Sequence, residues 1–287
     1  MVFLKEFYLS GETEIIKNMR NIYTSYYPLG IFSEMGLSSL EFAPLTVFYG
    51  SNGVGKTTLL NIIAMKLNAS KRNIVKQSDL FEKFADGCSY EMTNQSVLQE
   101  IKALSSDDIF DYLLDVRAIN SGVNRRKEQL EDEYLSRRYD SDKNFRFDSS
   151  VEGSYEELVK RVDSYRMTQS KYIRSRLHNN NIVQHSNGES ALEFWQREIG
   201  ESSLYLLDEP ENSLSPASQI KLKQFIEESV RFYDCQFIIS THSPFLLALN
   251  EARIYDLDQG GKITRWQDLE NVRTYYEFFK EKSSQFE

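Results

Sequence analysis

The residues that constrain this chain most are Gly50-Ser51-Asn52-Gly53-Val54-Gly55-Lys56-Thr57, which fit the pattern G-x-x-x-x-G-K-[ST]. Before them, LEFAPLTVFYG (40–50) is rich in β-branched and aromatic residues bounded by Ser, Pro and Gly, which is strand chemistry. After them, KTTLLNIIAMKL (56–67) places Leu59, Leu60, Ile63 and Leu67 at helical spacing. Glycines let successive backbone N–H groups turn inward without Cβ clashes, and the helix beyond them brings its positive end to the same point. A strand, a glycine turn and a helix therefore read as a phosphate cradle made by Asn52, Gly53, Val54, Gly55, Lys56, Thr57 and Thr58. In such a cradle Lys56 neutralises the β- and γ-phosphates of a nucleotide and the Thr57 hydroxyl binds Mg²⁺.

Two further apolar runs end in polar residues: SLYLLDEP (203–210) and QFIISTH (236–242). Strands buried on both faces of a parallel sheet look like this. Between them Ser215 and Pro216 form a helix cap and first helical position, followed by Leu222, Ile226 and Val230. FLKEFYL near the start reads as a strand, and ARIYDLD with KITRW reads as a hairpin about Gly260-Gly261. The middle, 71–187, is rich in Ser, Asn, Asp, Lys, Arg and Glu, with helical periodicity over 97–119 and 155–177. The expectation is an α/β core from 1–70 and 188–287, interrupted by a helical insertion subdomain over 71–187.

An apolar strand ending in Asp208-Glu209 sets two acids at the carboxyl edge of a parallel sheet, where such folds place ligands. Adjacent strand residues point to opposite sides, so the two acids should differ in task. Asp208 is the candidate Mg²⁺ holder, and Glu209 the group that orients and deprotonates an attacking water. A surface acid pair after a core strand is the plainer alternative. His242, at the end of the other strand, is placed to contact the terminal phosphate, although a lone histidine is often structural. Ser186-Asn187-Gly188-Glu189-Ser190 precedes a helix with Leu192, Trp195 and Ile199 on one face, which fits either an anion site or an ordinary cap.

Composition narrows the class. The chain of 287 residues carries 34 Lys+Arg against 43 Asp+Glu, a net −9, which argues against coating nucleic acid by bulk charge. No apolar run approaches the roughly 18 residues of a spanning helix. Lys5 and Glu6 fall where a signal peptide needs apolar text, so no membrane insertion and a cytoplasmic location are expected. Two cysteines (Cys88 and Cys235) and three histidines cannot build a disulfide framework or a multi-ligand zinc site.

Together GSNGVGKT, SNGES, LYLLDEPENSLSP and FIISTHSP resemble the ATP-binding cassette ATPases, most closely the soluble RecF-like, SMC-like and overcoming-lysogenisation-defect-like branch. The resemblance implies a P-loop NTPase core of ABC-ATPase type, with Walker A at 50–57, a signature at Ser186–Ser190, and Walker B at Asp208-Glu209. It implies a head-to-head homodimer that sandwiches two ATP molecules with Mg²⁺. Gly50–Thr57 of one subunit would then face Ser186, Gly188 and Glu189 of the other, with Asn212–Ser215 crossing the interface. It makes Glu209 the general base, His242 the switch and Lys56 a catalytic cation. The signature departs from the LSGGQ form of transporters. The Mg²⁺-sensing glutamine is not obvious, with Gln77 the candidate, and no aromatic stands out to stack on adenine.

Over 71–185 the resemblance is silent. There, 160–178 carries Lys160, Arg161, Arg166, Lys171, Arg174 and Arg176 against the single acid Asp163, with Tyr165 and Tyr172 interleaved. It suits nucleic acid, an acidic protein partner or plain solvated surface. With no nuclease-like metal module and no long heptad run in the text, effector chemistry is expected in a partner protein. The expected function is a soluble ATPase acting as a switch or motor for a partner protein or nucleic acid, in DNA maintenance or antiviral defence by analogy with its branch. The alternatives are the ATP-binding subunit of an ABC transporter, and a binding module that uses ATP for structure alone.

Overall fold

The computed structural model describes residues 1–12, 26–72, 78–139, 154–176, 187–212 and 214–285. In chain order, strand β1 (Leu4–Tyr8) is followed by the short helix α1 (Ile31–Glu34), β2 (Ser39–Glu41), β3 (Leu45–Tyr49) and α2 (Lys56–Lys66). Next come β4 (Ser70–Lys71), α3 (Asp79–Gly87), β5 (Ser89–Met92), β6 (Ile101–Ser105) and the 34-residue helix α4 (Ser106–Tyr139). Helices α5 (Ser154–Arg166), α6 (Gln169–Arg176) and α7 (Asn187–Glu198) lead to β7 (Leu204–Asp208), α8 (Pro216–Phe232) and β8 (Gln236–Ser240). The chain continues through α9 (Pro244–Leu247), β9 (Arg253–Asp256), β10 (Lys262–Ile263) and α10 (Glu270–Glu281).

Seven strands form one sheet in the order β10-β9-β3-β8-β7-β6-β4, parallel except for β10. All five residues of β3 and of β8 are buried, as the unbroken apolar runs lead one to expect. The register of the central strands positions the site. Phe48 of β3 pairs with Ser240 of β8, and Ser240 with Asp208 of β7, so the loops after these three neighbours leave one edge of the sheet together. In α2 the apolar residues Leu59, Leu60, Ile62 and Ile63 are all buried against this framework. The hairpin of β9 and β10 forms with Lys262 opposite Asp256.

A separate three-stranded antiparallel sheet, β2-β1-β5, takes up the opening strand. Thus 40–50 supplies two strands to two different sheets. Gln236, fully buried, joins them. Its Oε1 accepts from the Phe3 and Leu4 N–H groups (2.7 and 2.8 Å), and its Nε2 donates to the Leu4 and Ala43 carbonyls (2.8 and 3.1 Å). Each polar group it buries is thereby satisfied.

The chain divides into two compact units, Met1–Phe110 with Ser186–Glu287, and Asp111–His185. Two expectations are corrected here. Residues 71–110, expected in the insertion, belong to the first unit. There Phe81, Phe84 and Ala85 of α3 enter the same core as Leu59, Ile62 and Ile63 of α2. The helical reading of 97–119 fails over its first part, because Ile101–Ser105 is a strand held between β7 and β4. Pairing with neighbours overrode local periodicity. The helix starts only at Ser106, where Asp108 accepts hydrogen bonds from the Ser105 N–H (2.7 Å) and hydroxyl (3.1 Å).

The second unit has its own small core of Leu130, Tyr134, Tyr172 and Ile173, with Met167 packed on it. Arg137 bridges Glu133 and Glu157, both at 3.0 Å, which ties α4 to α5. The helical periodicity of 155–177 corresponds to two helices, α5 and α6. The basic stretch is also less free than its text implies. Arg161 pairs with Glu157 (3.3 Å) and Arg176 with Asp163 (2.7 Å), while Tyr172 is fully buried under the Arg176 guanidinium. Tyr165, Arg166 and Lys171 stay exposed.

Candidate functional site

The glycine loop leaves β3 and enters α2 at Lys56. Gly55 has φ +110°, and a Cβ there would lie 2.9 Å from Ile31 Cγ2, so only glycine fits without displacement. Gly53 has φ +83°, yet a Cβ on it would meet nothing within 4 Å, which marks the open side of the loop. The Lys56 ammonium donates to the Gly50 and Ser51 carbonyls (2.9 and 3.0 Å) and is almost wholly buried. Burial pushes its pKa down, opposed by the charges of Glu209 and Asp208. Asp258, after β9, clamps the outer rim: its carboxylate accepts from the Ser51 N–H and hydroxyl, both at 2.7 Å.

Across the sheet edge, the Thr57 hydroxyl donates to Asp208 Oδ1 at 3.1 Å, and the Ser240 hydroxyl donates to the same oxygen. Burial pushes the Asp208 carboxyl above its ordinary range, although both hydrogen bonds favour its charged form. These two oxygens, with phosphate and water, fit the coordination habit of Mg²⁺, which needs only one or two protein groups.

Glu209 adopts φ +47°, the left-handed region that a non-glycine residue enters at a cost of about 1–2 kcal/mol. Its N–H donates to the Ser240 carbonyl (3.0 Å), and its Oε2 accepts from Asn212 Nδ2 (2.8 Å). Its Oε1 lies 3.8 Å from His242 Nε2, too far for a hydrogen bond, and that buried nitrogen has no partner. Burial, with help from Lys56, holds the His242 pKa below its ordinary 6.5, so the ring is neutral at pH 7. A strained acid thus lies beside an unpartnered neutral imidazole.

The site thus gathers Asn52, Gly53, Val54, Gly55, Lys56, Thr57 and Thr58 of the loop and helix with Asp208, Glu209 and His242. Gly188 and Glu189 fall within the first turn of α7, which begins at Asn187, so the helix starts earlier than the motif suggested. Ser186 and Gln77 lie outside the described residues. Sequence reasoning missed four participants. Glu211 accepts from the His242 N–H (2.8 Å), Asn271 Nδ2 donates to the His242 carbonyl (2.8 Å), and Asp258 holds the loop. Tyr27, stacked on Phe81 at 5.8 Å, shares a 2.8 Å hydrogen bond with Thr58. Glu211 had a signal, since it completes the DEPE string; the others are distant in sequence.

The family described as ABC transporter matches residues 38–212, more than half of the chain. Fold and site define an ABC-type P-loop ATPase, and the chain belongs to that family. Residues 195–248 also match a family described as AAA domain, AbiEii toxin of type IV toxin–antitoxin systems.

Among solved structures, the chain is similar to a protein described as a metal-chelate-type ABC transporter in an inward-facing conformation. Identity is 16%, coverage is 96% of this chain and 90% of that one, and the TM-score is 0.40. It is similar to Stu0660 of Streptococcus thermophilus (13% identity, 95% and 78% covered, TM-score 0.41). It is also similar to the SMC head domain from Thermotoga maritima (14% identity, 88% and 94% covered, TM-score 0.37). These scores are low, and the family assignment rests on the 38–212 match. No curated protein matches the chain significantly.

Proposed function

We propose that this chain binds ATP with Mg²⁺ on the Gly50–Thr57 loop and hydrolyses the terminal phosphate across a head-to-head homodimer. The observation that carries this reading is the 3.1 Å Thr57–Asp208 hydrogen bond, which brings loop and strand end together beside Glu209 and His242. Lys56 is the phosphate cation, already held by two carbonyls. Thr57 and Asp208 hold the metal, which when bound neutralises charge on the phosphate oxygens, and Gln77 is the proposed sensor of it. Glu209 orients and deprotonates the water, and His242 contacts the terminal phosphate.

The outer surface of Ser51, Asn52, Gly53 and Thr57 is exposed, as a site completed by another surface requires. The second copy would supply Ser186, Gly188 and Glu189 to that surface. Gain and loss of the terminal phosphate then make and break the contact, which is the logic of a switch. We assign the chain to the soluble RecF-like, SMC-like and overcoming-lysogenisation-defect-like branch, acting in the cytoplasm on a separate effector protein. The 195–248 match favours a role in defence over DNA maintenance. The family description keeps a second reading, the ATP-binding subunit of a transporter, which co-purification of a membrane permease would favour. The test is Mg²⁺-dependent ATP hydrolysis by the purified chain, abolished in Glu209→Gln. A wild-type protein without turnover overturns the catalytic reading.

A further inference from the structure

His242 sits beyond the end of β8, where the sheet no longer holds the main chain, yet both of its peptide groups are held by side chains. Glu211 Oε1 accepts from the His242 N–H at 2.8 Å and from the Ser243 N–H at 3.2 Å. Asn271 Nδ2 donates to the His242 carbonyl at 2.8 Å. The next residue is fixed as well, since the Ser243 hydroxyl donates to Gln219 Oε1 at 2.7 Å. Glu211 therefore ties the loop that carries Glu209 to the loop that carries His242.

Its own situation is expensive. Glu211 is 8% exposed, its Oε2 is buried without a partner, and burial raises its carboxyl pKa. A buried carboxyl with one idle oxygen costs free energy that an apolar side chain of similar size would not. The compensation visible in the structure is geometric: one oxygen sets two successive N–H groups.

We propose that Glu211 is a positioning residue for the switch histidine, fixing the His242 main chain through Oε1 so that the imidazole stays 3.8 Å from Glu209. This rests on the ATPase reading above. Glu211 touches neither nucleotide nor metal in that reading; it acts through the main chain of His242 and Ser243.

The test compares Glu211→Met, which fills the space without an acceptor, with Glu211→Gln, which keeps an oxygen there. Glu211→Met is expected to lower kcat for ATP by roughly 10²-fold, the scale of a misplaced catalytic group, with KM unchanged. Glu211→Gln is expected to recover most of that loss. The ring C–H resonances of the three histidines provide a readout independent of turnover, with His242 assigned by its loss in His242→Ala. That resonance should move in Glu211→Met and stay in place in Glu211→Gln. Wild-type kcat and an unmoved resonance in Glu211→Met would overturn the proposal, as would Glu211→Gln behaving like Glu211→Met in both. Should Glu211→Met fail to fold, Glu211→Asp, which draws the oxygens back by one methylene, carries the same comparison. If the wild-type chain neither binds nor hydrolyses ATP, the ATPase reading falls, while the resonances still decide the role of Glu211.

Discussion

Asp208 offers a test in which stability and activity move in opposite directions. Its Oδ1 takes hydrogen bonds from Thr57 (3.1 Å) and Ser240, both of which the amide oxygen of an asparagine can accept. Asp208→Asn thus preserves the contacts and removes only the charge. Burial is the largest influence on this carboxyl and raises its pKa, so the charged form is disfavoured in the fold. A carboxyl raised in the folded state adds stability below its unfolded value of 3.8, and that stability is lost as pH climbs through the folded value. At pH 7 the wild type therefore carries the full penalty of the charge, a tenfold displacement of the protonation equilibrium being worth about 1.4 kcal/mol. Relief of a cost kept for function is typically about 1 kcal/mol, which is the increase expected for Asp208→Asn in urea unfolding at pH 7 without nucleotide. The difference should shrink as pH falls through the folded value and vanish well below the unfolded 3.8. Mg²⁺-dependent ATP turnover should fall at least tenfold. A variant less stable than wild type at pH 7 would show that the charge is structural and would refute the reasoning.

Two other outcomes are expected from the geometry. Gln236→Leu takes the acceptor from the buried Phe3 and Leu4 N–H groups and a donor from the Leu4 and Ala43 carbonyls, the latter keeping the Thr46 hydroxyl at 3.4 Å, and should lower stability by about 3 kcal/mol in urea unfolding; a loss under 1 kcal/mol would mean water replaces the amide. Within the basic stretch 160–178, Arg166 and Lys171 are exposed cations that could meet nucleic-acid phosphates. Replacing both with alanine should weaken any single-stranded DNA retention and flatten its salt dependence. Retention unchanged at every salt concentration removes that surface as the contact.

What could be read from the chain text depended on how local the cause was. The Gly50–Thr57 loop and the strand ends at Asp208 and His242 are set by strings of eight residues or fewer, so their geometry was foreseeable. Their meeting at one edge follows from parallel strands alone. The strand at Ile101–Ser105 was not foreseeable, because its five residues pass into a long helix and only β7 and β4 reveal its conformation. Likewise α3 lies in polar text, but Phe81 and Phe84 place it in the core. The tyrosines of 160–178 look alike in sequence, yet Tyr172 faces Tyr134 at 5.3 Å while Tyr165 faces solvent. Asp258 and Asn271 reach the site from more than 200 and nearly 30 positions away from their partners, Ser51 and His242, distances at which no motif operates. Glu211 lay inside a motif, but its bond to the other loop could be seen only in three dimensions.

ATP-driven association of two copies is tested most directly by measuring the solution mass of Glu209→Gln with and without ATP and Mg²⁺. The expected result is a single-chain mass without nucleotide and a two-chain mass with ATP, reversed by chelating the metal. A Glu209→Gln protein that binds ATP and remains a single chain at saturating nucleotide would contradict it.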